Sequence, residues 1–174
     1  MLDFEKRKIL WVYYTNEYAF DGEIVGYINK NNNKLLSRNQ YEKMIEREAY
    51  ERWQDMDIDE MADYENFENF WANILNSVDN DFIPLFEIIV NENDDIEKYN
   101  PYIEMHWLEI LALENEKSIY QIAKKGGLST STLYNMIDKD TQICDISIKT
   151  LSKILKGLNI SLNDFVDKYY NRFL

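Results

Sequence analysis

The spacing of apolar residues changes from strand-like to helix-like within the first forty residues. β-Branched and aromatic side chains are concentrated in Lys8–Thr15 and in Glu23–Asn29, and the turn-forming pair Asp21-Gly22 lies between them. This pattern predicts two β-strands joined by a turn. The polar run Asn29–Lys34 predicts the loop that follows the second strand.

Helical spacing begins after Ser37, which stands three residues before Gln40, the spacing of a capping box. Apolar residues then recur on one helical face from Tyr41 to Met56. The sequence therefore predicts a first helix that begins at Ser37 and is amphipathic over its length.

A second helical stripe of apolar residues runs from Met61 to Val78, with Asp57 or Asp59 as its candidate cap. Phe82–Val90 then predicts a buried strand, and a helix that begins at Pro84 is the alternative. We therefore expect the first domain to be α+β, with the element order ββααβ.

The polar and acidic segment Asn91–Asn100 predicts a boundary between two domains, residues 1–96 and residues 97–174. Asn100-Pro101 is a helix-start signal, so we expect helix from there to the end of the chain. Four serines each precede a new helical segment and offer a cap: Ser118, Ser129, Ser147 and Ser161. The second domain is therefore predicted as an all-α bundle of five short helices.

Charge is divided between the two predicted domains very unevenly. The whole chain has 19 Lys and Arg against 32 Asp and Glu, a net charge of −13. Residues 1–100 hold 10 basic and 23 acidic residues, whereas residues 101–174 hold 9 of each. From Lys117 to Lys156 there are 7 Lys and 3 acids. The acidic total therefore does not exclude a nucleic-acid partner for the second domain.

Cysteine and histidine are too rare for several classes of site. One Cys excludes an internal disulfide framework, and one Cys with one His excludes a zinc site built mainly from those ligands. No apolar run approaches the length of about 20 residues that a membrane-spanning helix needs, and the first residues do not resemble a signal peptide. We expect a cytoplasmic protein.

No residue pattern in the chain predicts catalysis or a cofactor. His106 is interpreted as a packed or surface helix residue, and Cys144 as a buried or idle thiol. Asp55-x-Asp57-x-Asp59 imitates the start of a calcium loop, but Glu60 and Asn66 stand where that loop requires Gly and Glu. A looser carboxylate site for Mg²⁺ is the alternative. We therefore expect a protein that is not an enzyme and holds no metal or cofactor.

The segment from Ser118 to Ile137 predicts two short helices joined by a tight turn. Ile122 and the small Ala123 suit the inner face of the first helix, and Gly127 suits the left-handed residue that ends it. Ser129 is positioned to cap the second helix. The outer face of that second helix carries short or flat polar groups: Thr130, Ser131, Tyr134 and Asn135.

This segment resembles the phage-repressor (Xre-like) helix-turn-helix family over Pro101–Asn171. Ala123, Gly127 and Ser129 carry the resemblance, together with Thr150–Leu155 and Leu158–Ser161. The resemblance implies that the second helix of the motif lies in the major groove of DNA and that the first contacts the backbone. It implies these residues at the DNA: Ser129, Thr130, Ser131, Tyr134, Asn135, Lys139, Ser118, Tyr120 and Gln121.

The chain departs from that family at two places. Ile119 stands where members often carry Gln, and Thr130 and Asn135 stand where Arg is common on the second helix. Fewer bidentate base contacts predict weak binding by one copy, so we expect dimerisation or indirect readout to contribute. A protein-interaction module with the same fold is the alternative.

The acidic domain has three interpretations. Its carboxylates are a solvated face, a surface for a basic protein partner, or part of a regulatory domain whose aromatic residues surround a ligand. The candidate acidic partner surface consists of Asp55, Asp57, Asp59, Glu60, Asp63, Glu65 and Glu68.

Two functional hypotheses follow. The first is a sequence-specific DNA-binding transcriptional regulator, a repressor that acts as a homodimer, with the acidic domain as effector or sensor. The apolar tail is its candidate dimer surface, and core packing of the fifth helix is the alternative role: Phe165, Val166, Tyr169, Tyr170, Phe173 and Leu174. The second hypothesis is an inhibitor of a nucleic-acid-binding enzyme, which resembles phage anti-CRISPR, antirestriction or antitoxin proteins, with the helix-turn-helix repressing its own operon.

Overall fold

Five strands form one antiparallel sheet. The computed structural model describes residues 7–14, 22–76 and 81–173. Its strands are β1 (Arg7–Tyr13), β2 (Ile24–Asn29), β3 (Leu35–Ser37), β4 (Phe82–Asn91) and β5 (Tyr102–Met105). They lie side by side in the order β3-β2-β4-β1-β5. β2 is antiparallel to both of its neighbours, with an irregularity between Ile24 and Gly26.

Eight α-helices accompany the sheet in the described part of the chain. They are α1 (Arg38–Asp55), α2 (Ile58–Met61), α3 (Phe67–Asn76), α4 (Trp107–Glu114), α5 (Ile119–Gly126), α6 (Thr130–Asp138), α7 (Ile148–Leu158) and α8 (Leu162–Phe173). Short 3-10 turns occupy Glu97–Tyr99 and Ile143–Asp145. An α+β N-terminal part followed by a helical part agrees with the sequence prediction at this coarse level. Thr15, Asp21, Val78 and Leu174, which belong to predicted features, lie outside the described residues.

A third strand precedes the first helix, so the predicted order ββααβ is incomplete. In β3, Leu36 stands opposite Tyr27 of β2, and both side chains are buried. The connecting loop is the predicted one, because the Asn29 N–H donates to the Lys34 carbonyl at 2.9 Å. Three residues give too short an alternation to be recognised as a strand from sequence.

The second predicted helical stripe contains two helices rather than one. The Asp57 carboxylate caps α2 by accepting from the Glu60 N–H at 2.9 Å. The Asn66 side chain accepts from the Asn69 N–H at 2.9 Å where α3 begins. Because each cap satisfies N–H groups that a continuous helix would bond internally, the prediction of one helix from Met61 is wrong.

The prediction of helix from Asn100-Pro101 is also wrong, because the chain first forms β5. The Lys8 ammonium of β1 lies 3.0 Å from the Glu104 carboxylate of β5. Helix begins only at α4, where His106 is the N-cap. From there to Phe173 the described chain contains five α-helices, as the sequence predicts.

The predicted polar caps are observed. Ser37 and Gln40 form a reciprocal capping box at the start of α1. The hydroxyls of Ser118, Ser129 and Ser147 accept N–H bonds at the starts of α5, α6 and α7. The Ser161 hydroxyl accepts from the Asp164 N–H at 3.1 Å at the start of α8. These side chains satisfy N–H groups that have no partner inside their helices.

Contacts divide the chain into two units, which we call the acidic unit and the helical unit. The acidic unit is Trp11–Glu87, and the helical unit is Ile88–Leu174 together with the beginning of the chain as far as Leu10. Their limits fall within β1 and β4. The boundary predicted at Asn91–Asn100 stays a prediction.

Each unit has its own apolar core. In the acidic unit, the rings of Tyr27 and Tyr41 stack with centroids 3.8 Å apart, and Leu36 and Ile45 are buried in the same cluster. The core of the helical unit includes these fully or almost fully buried residues: Leu108, Ile110, Leu111, Ile122, Leu133, Ile154, Leu155 and Phe165. Burial of such side chains is the dominant favourable contribution to folding.

Candidate nucleic-acid interface

Helices α5 and α6 are joined by a tight turn. Gly127 has φ = 69°, the left-handed conformation that the sequence predicts for it. The Leu128 N–H then donates to the Ala123 carbonyl at 2.9 Å and closes the end of α5. Glycine takes this conformation without the steric cost that a Cβ brings, so α5 can end at this residue, and α6 begins three residues later at Thr130.

The start of α6 is a cluster of three hydroxyls. The Ser129 oxygen accepts from the Thr132 N–H at 3.1 Å and lies 3.0 Å from the Ser131 hydroxyl. It also lies 2.6 Å from the Thr132 hydroxyl. Ser129 and Ser131 therefore hold each other in place at the exposed start of the helix.

The outer face of α6 carries the predicted polar row. Ser131, Tyr134 and Asn135 are exposed, with Tyr134 at 50%, and Thr130 is half-buried. Lys139, the C-cap of α6, is exposed as well. The opposite face is buried through Leu133 and Met136. A helix with this division presents hydrogen-bonding groups on one side and packs with the other.

The predicted residues of α5 lie at the first turn of that helix and are exposed. Ser118 and Gln121 cap the helix reciprocally, with the Ser118 N–H donating to Gln121 Oε1 at 2.8 Å. Tyr120 is 58% exposed, and the Lys124 ammonium lies 5.9 Å from the centre of its ring. Gln121 is thus held by the cap, whereas Tyr120 and Lys124 are presented to solvent.

Two lysines that the sequence does not single out make contacts between α5 and α7. The Lys153 ammonium donates to the Gly127 carbonyl at 3.2 Å, and the Lys125 ammonium donates to Asn159 Oδ1 at 3.4 Å. Their only sequence signal is the excess of lysine from Lys117 to Lys156. They place positive charge beside the turn that joins α5 and α6.

All seven residues of the candidate acidic partner surface are exposed: Asp55, Asp57, Asp59, Glu60, Asp63, Glu65 and Glu68. They extend from the end of α1 to the start of α3, and Ile58 between them is 86% exposed. A shallow groove is lined by Glu60 and Asp63 of this surface, by Arg52, and by side chains that include Met56 and Tyr64. Among the described residues, no group of three or more acidic, His or Cys side chains is placed to hold a metal ion.

The aromatic residues of the acidic unit pack mainly against one another. The Trp53 ring lies 5.4 Å from the Phe70 ring and 6.1 Å from the Phe67 ring, and Tyr64 lies edge-on to Phe70 at 5.0 Å. Such contacts are typical of aromatic packing between helices. Their helical spacing thus reflects packing of α1 against α3 and the turn before it.

His106 occupies a buried position at the start of α4. Its Nδ1 accepts from the Leu108 N–H at 3.2 Å, and its Nε2 lies 3.0 Å from the Thr141 carbonyl. The Trp107 indole N–H donates to that same carbonyl at 2.8 Å. These bonds select the neutral ring with its proton on Nε2, and burial lowers the pKa of His106 below the ordinary 6.5.

The remaining singled-out residues are placed as follows. Cys144 is exposed rather than buried. In the apolar tail, Phe165, Tyr169 and Phe173 are buried within the helical unit, and Val166 is exposed. The side chains of the two other tail residues lie outside the described set. Most of the described tail is therefore core rather than free surface.

No protein-family model, curated protein or solved structure matches this chain. Across residues 7–14, 22–76 and 81–173, none of the helices combines the length and apolar character needed to cross a membrane.

Proposed function

We propose that this chain is a sequence-specific DNA-binding transcriptional regulator, acting as a repressor. In this proposal α5, the Gly127 turn and α6 form a helix-turn-helix, and α6 enters the major groove. The supporting observation is the polar row on α6, which is exposed opposite a buried apolar face and lies in the lysine-rich part of the chain. Base edges in the major groove offer the donors and acceptors that such a row can read.

The side chains of the row suit different contacts. The amide of Asn135 can bond an adenine edge through a donor and an acceptor together. The flat ring of Tyr134 and the hydroxyl of Ser131 suit a thymine methyl group or a phosphate oxygen. Lys139 and Lys124 are exposed ammonium groups for phosphates.

A homodimer is part of this proposal. One short helix with few base contacts gives low affinity, and two copies on neighbouring half-sites multiply the contacts. Val166 and Leu162 of α8 are exposed apolar residues that such an interface can cover.

Two single substitutions test the DNA contacts. Tyr134→Ala and Asn135→Ala are each expected to weaken binding to the DNA upstream of the gene by about 1–3 kcal/mol, without lowering the unfolding temperature. Fluorescence anisotropy with labelled duplex measures the affinity.

Matched controls are available elsewhere in the chain. Tyr50, which is 52% exposed in the acidic unit, matches Tyr134, and the exposed Asn163 of α8 matches Asn135. Tyr50→Ala and Asn163→Ala are expected to leave the affinity unchanged. If the two α6 variants bind as tightly as these controls, their side chains do not contact the operator.

A second candidate function is favoured by the exposure of the acidic surface. Seven carboxylates with an exposed Ile58 among them suit a basic protein better than a solvated face alone, since the apolar residue gains by being covered. In this alternative the acidic unit inhibits a nucleic-acid-binding enzyme and the helical unit represses its own operon.

The two candidate functions predict different effects when the charge of the acidic surface is removed. Asp59→Asn with Glu60→Gln and Asp63→Asn is expected to abolish inhibition of a basic nuclease by the full chain and to spare operator binding. The nucleases tested include complexes that cleave phage DNA. If the full chain inhibits none of them, the second candidate function is excluded and the first remains.

A further inference from the structure

The helical unit contains a cavity of about 330 Å³ at the C-terminal end of α6. Residues of β1, β4 and β5 line it together with the last turn of α6 and the end of α8, and all of them belong to this one unit. Its volume falls at the lower end of the range of roughly 300–1,000 Å³ that small-molecule sites occupy.

One part of the cavity wall is apolar, although polar and charged residues make up the rest of the lining. Ile9, Ile89, Ile137 and Phe173 line it, together with the indole of Trp107. The Trp107 ring is held in place by its N–H bond to the Thr141 carbonyl at 2.8 Å. A fixed indole can pack against an apolar ligand or face a cation.

The charges around this cavity favour a cationic ligand. Two of its cations already have carboxylate partners, because Lys8 lies 3.0 Å from Glu104, and Arg172 lies 2.6 Å from Glu114. Arg7, the third cation, also has an interaction partner. Two further carboxylates, Asp138 and Asp140, line the cavity and are exposed. With Glu104 and Glu109, the lining carries four carboxylates against the three cations Arg7, Lys8 and Arg172, so its formal charge is net negative by one.

We propose that this cavity binds a small organic amine, with the apolar body against the isoleucine and aromatic walls and the ammonium group between Asp138 and Asp140. We further propose that occupation changes the affinity for DNA, a statement that rests on the function proposed above for α6. Ile137 and Asp138 belong to the last turn of α6, so a bound amine contacts the helix that carries the polar row.

Coupling between the two sites follows from this shared helix. A ligand that favours one position of the α6 end changes the free energy of any DNA complex that needs a different position. By linkage, DNA then changes the affinity for the amine by the same factor.

The first experiment measures binding of the amine without DNA. Isothermal titration calorimetry of the full chain with tryptamine and with phenethylamine is expected to show saturable binding with one site. 3-Phenylpropionate, which has a carboxylate in place of the ammonium, is expected not to bind.

Two substitutions locate the site. Asp138→Asn and Asp140→Asn are each expected to weaken amine binding at least tenfold, while the control Asp167→Asn on α8, an exposed acid outside the cavity lining, leaves it unchanged. Both aspartates are at the surface, so the fold should be retained, and circular dichroism confirms this.

The outcomes separate this inference from the proposed function. Absence of binding by both amines, equal binding of the carboxylate, or equal weakening by Asp167→Asn overturns the amine site, whatever the DNA result. If the amines bind as expected but operator affinity with and without 10 mM tryptamine is the same, the site stands and the coupling is overturned. If the amines bind as expected but the chain binds no DNA at all, the proposed function fails together with the coupling that rests on it, and the amine site stands.

Discussion

Gly126 and Gly127 are adjacent but serve different physical needs. Gly127 has φ = 69°, and a Cβ there would meet no heavy atom within 4 Å. Gly126 is helical, and a Cβ there would lie 2.3 Å from the Lys153 carbonyl oxygen of α7. Gly127 is therefore needed for its backbone conformation, as the sequence predicts, whereas Gly126 is needed for close packing.

A substitution at Gly127 tests backbone conformation separately from packing, because an added Cβ there has no neighbouring atom to meet. Gly127→Ala is expected to lower the free energy of unfolding by about 1–2 kcal/mol, because a left-handed residue with a Cβ is strained. Urea denaturation measures the loss. Gly127→Asn should lose clearly less, since Asn tolerates this conformation. Equal losses for Ala and Asn would show that the conformation is not the cause.

His106 makes stability depend on pH. Burial lowers its pKa in the folded state, although the Thr141 carbonyl, Asp140 and Glu109 act in the opposite direction. The unfolded chain therefore binds the proton more readily than the folded one. Stability from this group is complete above the unfolded pKa of 6.5 and is lost as the pH falls from there toward the lower folded pKa.

Thermal unfolding between pH 7.5 and pH 5.5 measures this effect. The unfolding temperature of the wild type is expected to fall over that interval more than that of His106→Asn. Asn is a good N-cap that does not titrate, so it keeps the cap and removes the proton equilibrium. Superimposable pH profiles for the two proteins would exclude His106 as the source.

Helices α5 and α7 cross at two glycines. Gly126 of α5 faces the Lys153 carbonyl, and a Cβ on Gly157 of α7 would lie 2.3 Å from the Ile122 carbonyl oxygen of α5. Each helix thus lets the backbone of the other approach where a side chain would not fit. This reciprocal contact fixes the position of α5 and, through the Gly127 turn, the start of α6.

Gly157→Ala tests that contact. The added methyl group meets backbone rather than a flexible side chain, so the expected loss of unfolding free energy is about 3 kcal/mol, above that of Gly127→Ala. Denaturation by urea again gives the value. Ser152→Ala, an exposed change on the same helix, serves as the control. If Gly157→Ala lowers the free energy of unfolding no more than Ser152→Ala does, α5 and α7 can move apart at little energetic cost.

Helix caps were the most predictable elements, because their signal is local. Ser37, Ser118, Ser129 and Ser147 each bond an N–H three residues ahead. The strands β3 and β5 are short, and each is defined by pairing with another strand of the sheet. No local sequence pattern therefore predicts them. The same limit applies to Gly126, whose neighbour in space is 27 residues ahead in sequence.

The candidate interface was predictable in part for a related reason. Exposure of Tyr134 and Asn135 follows from the helical period once Leu133 and Met136 are assigned to the core. The contacts of Lys125 and Lys153 were not predictable, since they join the end of α5 to α7, which is distant in sequence. The cavity beside α6 likewise depends on three strands that meet only after folding.

Charge separates the two units of the whole molecule. The acidic unit carries 17 acidic and 6 basic residues, whereas the helical unit carries 15 and 13. The net charge of −13 thus comes mostly from residues that the DNA proposal does not use. A polyanion is repelled by the first unit and meets locally concentrated lysine in the second.

The most direct test of the DNA proposal is the salt dependence of binding by the full chain. Affinity for the upstream duplex is measured between 50 and 200 mM salt, the range in which phosphate contacts change affinity most visibly. The triple variant Lys124→Gln, Lys125→Gln and Lys139→Gln is compared with Lys30→Gln, Lys34→Gln and Lys43→Gln, which removes the same charge from the acidic unit.

The proposal predicts a steep negative slope of log affinity against log salt, reduced by about 3 in the first variant and unchanged in the second. No binding of the duplex, or the same slope in both variants, would contradict the assignment of α5 and α6 to DNA.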